Sequence, residues 1–331
     1  TQFSHGWQDG SGGAKVAVRQ PFPNIAQFLH AVLSVFLRAD AEGALLGAAE
    51  AGPGNYQVMG AEGLTRVIGE LLEEVGGAAE MPEVLCAGVA GAGRLPEQEK
   101  LRSALEENKL ARTVRIVTDG RAALEGAHRG EPGVVCIAGT GSIVIGRNAE
   151  GVEARAGGWG PILGDEGSAH GLVMQAIRSA LRAVDGSGPD TSLQAELLPA
   201  LGLGDWHEII EAIYGGDFTR DRIADACPVV FTAARNKDEV ALHVVQKGLS
   251  ALGAQIGAVA RRLELESPVT VACTGGVFEE PDILEEPLVA GADDMELKFV
   301  EPQFEARFGA LLLAMSSSFA EASDSAMSTW A

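Results

Sequence analysis

The stretch Gly133-Val134-Val135-Cys136-Ile137-Ala138-Gly139-Thr140-Gly141-Ser142-Ile143-Val144-Ile145-Gly146-Arg147 decides the fold class. Its first six residues form a continuous apolar run, the pattern of a strand covered on both faces. The run stops at two glycines and two hydroxyl residues, and Ile143–Arg147 returns as a second strand. Glycines in that turn let successive backbone N–H groups face an anion, and the hydroxyls add donors. A plain tight hairpin would need the same residue types, so this string alone leaves phosphate binding open.

On the N-terminal side the same grammar repeats. Val32–Leu37 and Ala44–Ala48 read as strands around the turn Asp40-Ala41-Glu42-Gly43. Leu64, Val67, Ile68, Leu71, Leu72 and Val75 recur at helical spacing. Val84–Val89 and Val114–Val117 are short buried strands, with helices predicted over Pro96–Leu110 and Arg121–His128. On the C-terminal side Asn148-Ala149-Glu150-Gly151 is a hairpin turn, and a long helix starts near Ser168. Residues 191–264 are mostly helical, Pro268–Cys273 and Leu297–Val300 are strands, and Phe304–Met315 is a closing helix. Such alternation predicts an α/β fold with largely parallel sheets, whose ligand residues lie just beyond the carboxyl ends of strands.

Composition narrows the partners. The 331 residues carry 25 Lys+Arg against 46 Asp+Glu, a net charge of −21, with 46% hydrophobic residues. That is a globular chain whose acidic surface disfavours nucleic acid and anionic membranes. The apolar segment Ile25–Leu37 is interrupted by His30 and is shorter than the roughly 20 residues a bilayer span needs. No basic, signal-like region precedes it, and a soluble cytoplasmic protein is expected. Cys86, Cys136, Cys227 and Cys273 form no paired motif, and three sit in apolar runs, as buried reduced thiols do. The histidines show no metal-ligand spacing.

Four further strings carry candidate chemistry. Asp119 follows a strand and precedes a helix, where a carboxylate could take a proton from an alcohol attacking a phosphoryl group, or could simply cap the helix. Gly164-Asp165-Glu166-Gly167-Ser168 offers Asp165 as an acceptor for sugar hydroxyls, or a capping turn using Asp165 or Ser168. Trp159, between glycines, is either a packing anchor or a wall for a sugar face. Thr274-Gly275-Gly276 either admits a nucleotide against bare backbone or is an ordinary turn.

Together with Gly52-Pro53-Gly54-Asn55, Thr118-Asp119 and Gly157-Gly158-Trp159-Gly160, these strings resemble the N-acetylglucosamine kinase family. That family lies within the BadF/BadG/BcrA/BcrD-type ATPases of the sugar kinase/actin superfamily. The likeness runs from about Val35 to Met315 and is most specific from Ile137 to Ser168. It implies an α/β fold of two actin-like ATPase (ribonuclease H-like) domains with a ligand cleft between them. Residues 1–130, completed by the helix at 304–316, would form one domain, and residues 131–303, with a helical insertion, the other. The implied activity is ATP-dependent phosphorylation of an amino sugar at its 6-hydroxyl, N-acetylglucosamine foremost. By the same likeness Asp119 is the general base, and Asn55, Gly158, Trp159, Gly160 and Asp165 contact sugar. Gly139, Thr140, Gly141, Gly275, Gly276 and Ala234 contact ATP, Mg²⁺ accompanies the nucleotide, and a homodimer is common among relatives.

The chain departs from the family's pattern in two places. The family opens with a phosphate loop of the form Asp-Gly-Gly-Gly-Thr-Lys-Thr, about ten residues before the turn at Asp40. Here that position reads Leu29-His30-Ala31-Val32, and the nearest likeness is Asp9-Gly10-Ser11-Gly12-Gly13-Ala14-Lys15. Either Asp9 serves the metal through a rearranged connection, or residues 1–30 are not the family's usual start. His170-Gly171 also replaces an aromatic pair. Two alternatives stay open: a reductase-activating ATPase, which needs cysteines for an iron–sulfur cluster, and a sugar-binding sensor with impaired catalysis.

Overall fold

A computed structural model of the chain describes residues 24–29 and 34–316, apart from 42, 53, 77–80, 217, 280–282 and 294. Asp9 and its glycine string lie outside the described residues, as do His30–Leu33 and the tail after Ser316. The first sheet is built from β1 (Asn24–Leu29), β2 (Ser34–Ala39), β3 (Leu45–Ala51), β4 (Val84–Val89) and β5 (Thr113–Thr118). Helix α1 (Tyr56–Glu74) precedes β4, α2 (Leu95–Glu107) lies between β4 and β5, and α3 (Asp119–His128) follows β5. The strand order is β3-β2-β1-β4-β5, with β1 to β3 antiparallel and β1, β4 and β5 parallel.

The second sheet repeats that plan. It comprises β6 (Gly133–Ala138), β7 (Ser142–Arg147), β8 (Glu153–Gly157), β9 (Val269–Thr274) and β10 (Leu297–Val300), in the order β8-β7-β6-β9-β10. Between β8 and β9 run α4 (Ala169–Val184), α5 (Leu193–Leu201), α6 (Glu208–Tyr214), α7 (Arg220–Ala224), α8 (Cys227–Arg235) and α9 (Glu239–Arg262). Helix α10 (Glu285–Gly291) precedes β10, and α11 (Ala306–Met315) closes the described chain.

Both-face burial explains the apolar runs. In β4, Leu85, Ala87 and Val89 join the core beneath α1 and α2, while Cys86 joins the core beneath α11. In β6, Val134, Cys136 and Ala138 face the helical insertion, whereas Val135 packs with Ala123, Leu124 and Ala127 of α3. Each Val or Leu so buried contributes about 1.5–3 kcal/mol, and each alanine methyl about 0.8 kcal/mol. Helix α3 therefore packs against both sheets, with Ala122 in the core of Cys86 and Val117 and Ala123, Leu124 and Ala127 against the second sheet. Arg115 on β5 donates to the carbonyls of Leu313 (2.6 Å), Ala314 and Ser316, satisfying the open end of α11 and tying it to the first sheet.

The structure alters several boundaries. β1 has no counterpart in the sequence reading, because its six residues sit between prolines and His30 without clean alternation; pairing with β2 and β4 makes it a strand. Helix α1 starts at Tyr56, well before Leu64, and is broken at Gly60, whose φ is 64°. α2 ends at Glu107, short of Leu110, and α3 begins at Asp119 rather than Arg121.

Candidate active site

The last register pair of β4 and β5 is Val89–Thr118, so Ala90 and Asp119 leave the sheet side by side. Asn55 forms a parallel bridge to Ala90, and Tyr56 N donates to the Ala90 carbonyl (3.0 Å). Three chain segments thus converge at one carboxyl edge, and two of them bring Asn55 and Asp119. Asn55 Oδ1 caps α1 by accepting from Gln57 N (2.9 Å), which leaves its amide nitrogen as the donor for a ligand. Thr118, not Asp119, caps α3: its hydroxyl accepts from Arg121 N (3.1 Å). Asp119 sits half-buried in the first turn, with Oδ1 accepting from Gly120 N (2.9 Å).

The corresponding edge of the second sheet holds the glycine loop. Ala138 pairs with Ser142, and Ile137 with Thr274, so Gly275 emerges beside Gly139. Gly275 has a φ of +106°, and a Cβ there would press into the Ala138 carbonyl and lie 3.0 Å from Gly139 N. Only glycine lets these two turns touch. Gly276 faces open space. Gly158 N donates to the Ser142 carbonyl (3.1 Å), which carries the Gly157–Gly160 turn to the same edge. Trp159 stays 62% exposed there, with the Arg155 guanidinium 5.1 Å from its ring centre, so it is a surface wall and not a core anchor.

Asp165 differs most from the expectation of an open sugar ligand. Its side chain is 4% exposed and its carboxylate is already engaged. Oδ2 is 2.6 Å from Arg220 Nη2, and Oδ1 accepts a long bond (3.4 Å) from Ser142 N. Burial pushes the Asp165 carboxyl above its usual range, outweighing the Ser142 N–H and Arg220, which pull it down. Ser168 is the cap of α4, accepting from Gly171 N (3.0 Å) and donating to the Asp165 carbonyl (2.7 Å). His170 is buried beside it with Nδ1 unpartnered, and burial, then Arg220 and Arg178, lower its pKa.

Thr140 donates its hydroxyl to Asp221 Oδ1 (2.8 Å). Arg220 and Asp221 were not legible as site residues: they open a short helix 55 positions after Asp165, with no local glycine or motif to mark them. Ala234 also departs from expectation. The whole residue is 2% exposed in the core of the insertion, so it presents almost no surface to a nucleotide. A nucleotide-borne magnesium fits these donors, because Mg²⁺ takes one or two carboxylates with phosphate oxygens and water. Asp221 is such a carboxylate, and no cluster of three metal-type side chains occurs among the described residues. Cys86, Cys136 and Cys227 are buried and Cys273 is half-buried, so the four thiols do not form a surface cluster site. No helix among the described residues is long and apolar enough to cross a membrane.

Comparison with known proteins identifies the family and the fold. The sequence profile described as the BadF/BadG/BcrA/BcrD ATPase family matches residues 31–314. An N-acetylmuramic acid/N-acetylglucosamine kinase of Clostridium acetobutylicum is 31% identical over 272 residues, covering 80% of this chain and 89% of its own length. An N-acetyl-D-glucosamine kinase of Dictyostelium discoideum is 34% identical over 210 residues, covering 62% of this chain and 66% of its own. A solved structure from Chromobacterium violaceum, provisionally assigned as an N-acetylglucosamine kinase, superposes with a TM-score of 0.71 at 26% identity, covering 89% of this chain and 99% of that one. A ROK family glucokinase from Streptomyces griseus, solved with glucose and AMPPNP, gives a TM-score of 0.55 at 18% identity, covering 88% and 98%. The fold is that of the actin-like ATPase sugar kinases.

Proposed function

Because the chain belongs to the BadF/BadG/BcrA/BcrD ATPase family, we propose that it is an ATP-dependent carbohydrate kinase that phosphorylates an amino sugar, N-acetylglucosamine foremost, at the 6-hydroxyl. The observation that carries the assignment of roles is the shared edge of Asn55, Ala90 and Asp119. There a half-buried carboxylate that does not cap its helix shares one sheet edge with Asn55, a polar anchor for sugar. Asp119 takes the proton from the 6-hydroxyl as its oxygen forms a bond to the γ-phosphorus. The bond from that phosphorus to the β–γ bridging oxygen breaks, ADP leaves, and Asp119 returns its proton to water.

Asn55, Gly158, Trp159, Gly160 and Asp165 would hold the sugar, with Trp159 as its wall. Gly139, Thr140 and Gly141 would receive the phosphates and Gly275 and Gly276 the rest of the nucleotide, while Ala234 is too buried to add more than a marginal contact. Asp221 would hold Mg²⁺ when it enters with ATP; the ion neutralises charge on the phosphate oxygens. The domains on this reading are 1–130 with 304–316, and 131–303, and the enzyme works in the cytoplasm, as a homodimer if it follows its relatives.

A coupled ADP-release assay over a panel of N-acetylglucosamine, glucosamine, N-acetylmannosamine and N-acetylmuramic acid tests the substrate. Asp119→Asn should lower kcat by about 10²–10⁴-fold while leaving sugar affinity within about twofold. Turnover retained in that variant removes Asp119 from its role. One observation favours a second reading, a sugar-binding protein that transfers phosphate poorly: His30-Ala31-Val32-Leu33 joins β1 to β2 where a glycine loop is expected. Sugar binding by calorimetry with no ADP release from any sugar would support it.

A further inference from the structure

We propose that Arg220 is a phosphate-contacting residue whose guanidinium, paired here with Asp165, moves onto the nucleotide phosphates at the Gly139–Ser142 loop and thereby frees Asp165 for the sugar. This rests on the reading of that loop as the phosphate site.

Three features of the geometry carry it. Arg220 Nη2 lies 2.6 Å from Asp165 Oδ2 and would be 3.0 Å from a Cβ on Gly141, so the cation already touches the loop. The side chain is 42% exposed while that of Asp165 is 4% exposed; the arginine has room to swing and the carboxylate does not. The adjacent Asp221 accepts the Thr140 hydroxyl, so two consecutive residues at the start of α7 hold both the loop and the carboxylate behind it.

Asp165 cannot serve sugar hydroxyls fully in this arrangement, since Ser142 N–H occupies one oxygen and Arg220 the other. A triphosphate offers the guanidinium several oxygens of higher charge, and guanidinium binds phosphate in a two-pronged fashion. In a chain of net charge −21 a cation at this position also offsets the field that repels ATP. Transfer of Arg220 to phosphate uncovers the carboxylate, so nucleotide and sugar should strengthen each other's binding, reciprocally.

Calorimetric titration separates the outcomes, using AMPPNP with Mg²⁺, adenosine and N-acetylglucosamine on the full chain, Arg220→Ala, and the double variant Arg220→Ala/Asp165→Asn. In the unmodified chain AMPPNP should bind and tighten the sugar. Arg220→Ala should weaken AMPPNP by about tenfold or more, leave adenosine within about twofold, and abolish the mutual tightening. AMPPNP affinity should stay low in the double variant. Unchanged AMPPNP binding in Arg220→Ala overturns the inference, and so does recovery in the double variant, which would make Arg220 only a counter-ion of Asp165. Failure of the unmodified chain to bind AMPPNP instead overturns the phosphate-loop reading.

Discussion

The β1–β2 and β6–β7 hairpins occupy equivalent places in two sheets of the same strand order, yet their connections have opposite chemistry. Residues 139–141 are Gly-Thr-Gly, backed by Gly275, Asp165 and Asp221. Between β1 and β2 stand His30, Ala31, Val32 and Leu33. Strand pairing asks only for compatible apolar strands and tolerates either connection, whereas anion binding asks for bare backbone N–H groups. Sheet order and loop chemistry are therefore separable properties: the two sheets share the first, and the residues joining their leading hairpins differ in the second.

The sharpest way to break this contrast is to damage one loop at a time. Gly275→Ala forces a Cβ into the Ala138 carbonyl at a left-handed backbone position. It should weaken AMPPNP by well over tenfold, with a lower Tm, whereas His30→Ala should leave affinity within about twofold. An equal loss in both variants, measured by calorimetry, would show that the two hairpins share the work.

A second break separates the halves themselves. Arg147 at the end of β7 pairs with Glu125 of α3 (2.8 Å) and Glu153 of β8 (3.0 Å), and Arg121 reaches Glu153 (3.3 Å). Burial pulls the Arg147 pKa down, but the two carboxylates outweigh it and hold it above its usual value. This network clamps the helix that begins with Asp119 onto the second sheet. Arg147→Ala strips the largely buried Glu125 of this partner and leaves Glu153 with Arg121 alone; it should cost about 3 kcal/mol, read as a fall in the urea midpoint. A shift under a tenth of that size would mean that α3 is held by its apolar contacts alone.

The smallest effect concerns acid. His128, at the end of α3 against β6, and His170 in α4 are both buried, and burial lowers both pKa values, with Arg147 adding to the effect at His128. The unfolded chain takes up protons near pH 6.5 while the folded chain resists, so stability is full above that pH and falls as pH drops below it. The slope should reach at most about 1.4 kcal/mol per pH unit per histidine. Hydrogen exchange should show β6, β7 and α4 loosening between pH 7 and 5 before β4 and β5 do; a uniform response would refute this.

Much of the fold was legible because its signals are local. The apolar runs at Val84–Val89 and Gly133–Ala138 coincide with β4 and β6, and the glycine strings fall at strand ends. β1 was missed because its identity as a strand comes from its neighbours. Of the site, the sequence named Asp119, Asn55 and the loop at Thr140, but not which residue each had as partner. Capping shows the reason. Asp119 and Thr118 are both good caps by residue type, and so are Asp165 and Ser168. Backbone geometry alone made Thr118 and Ser168 the caps and left the two carboxylates for other work.

By itself the sequence determined the alternation of strands and helices, the places where backbone could meet an anion, and the acidic field around them. Each depends on residues close together in the chain. Only the tertiary structure decided that Gly275 abuts Gly139, that Asn55 and Asp119 flank Ala90 at one sheet edge, and that Asp165 is buried under an arginine from a distant helix. Those contacts join segments separated by tens of residues, and the order of strands in the sheets sets which segments meet.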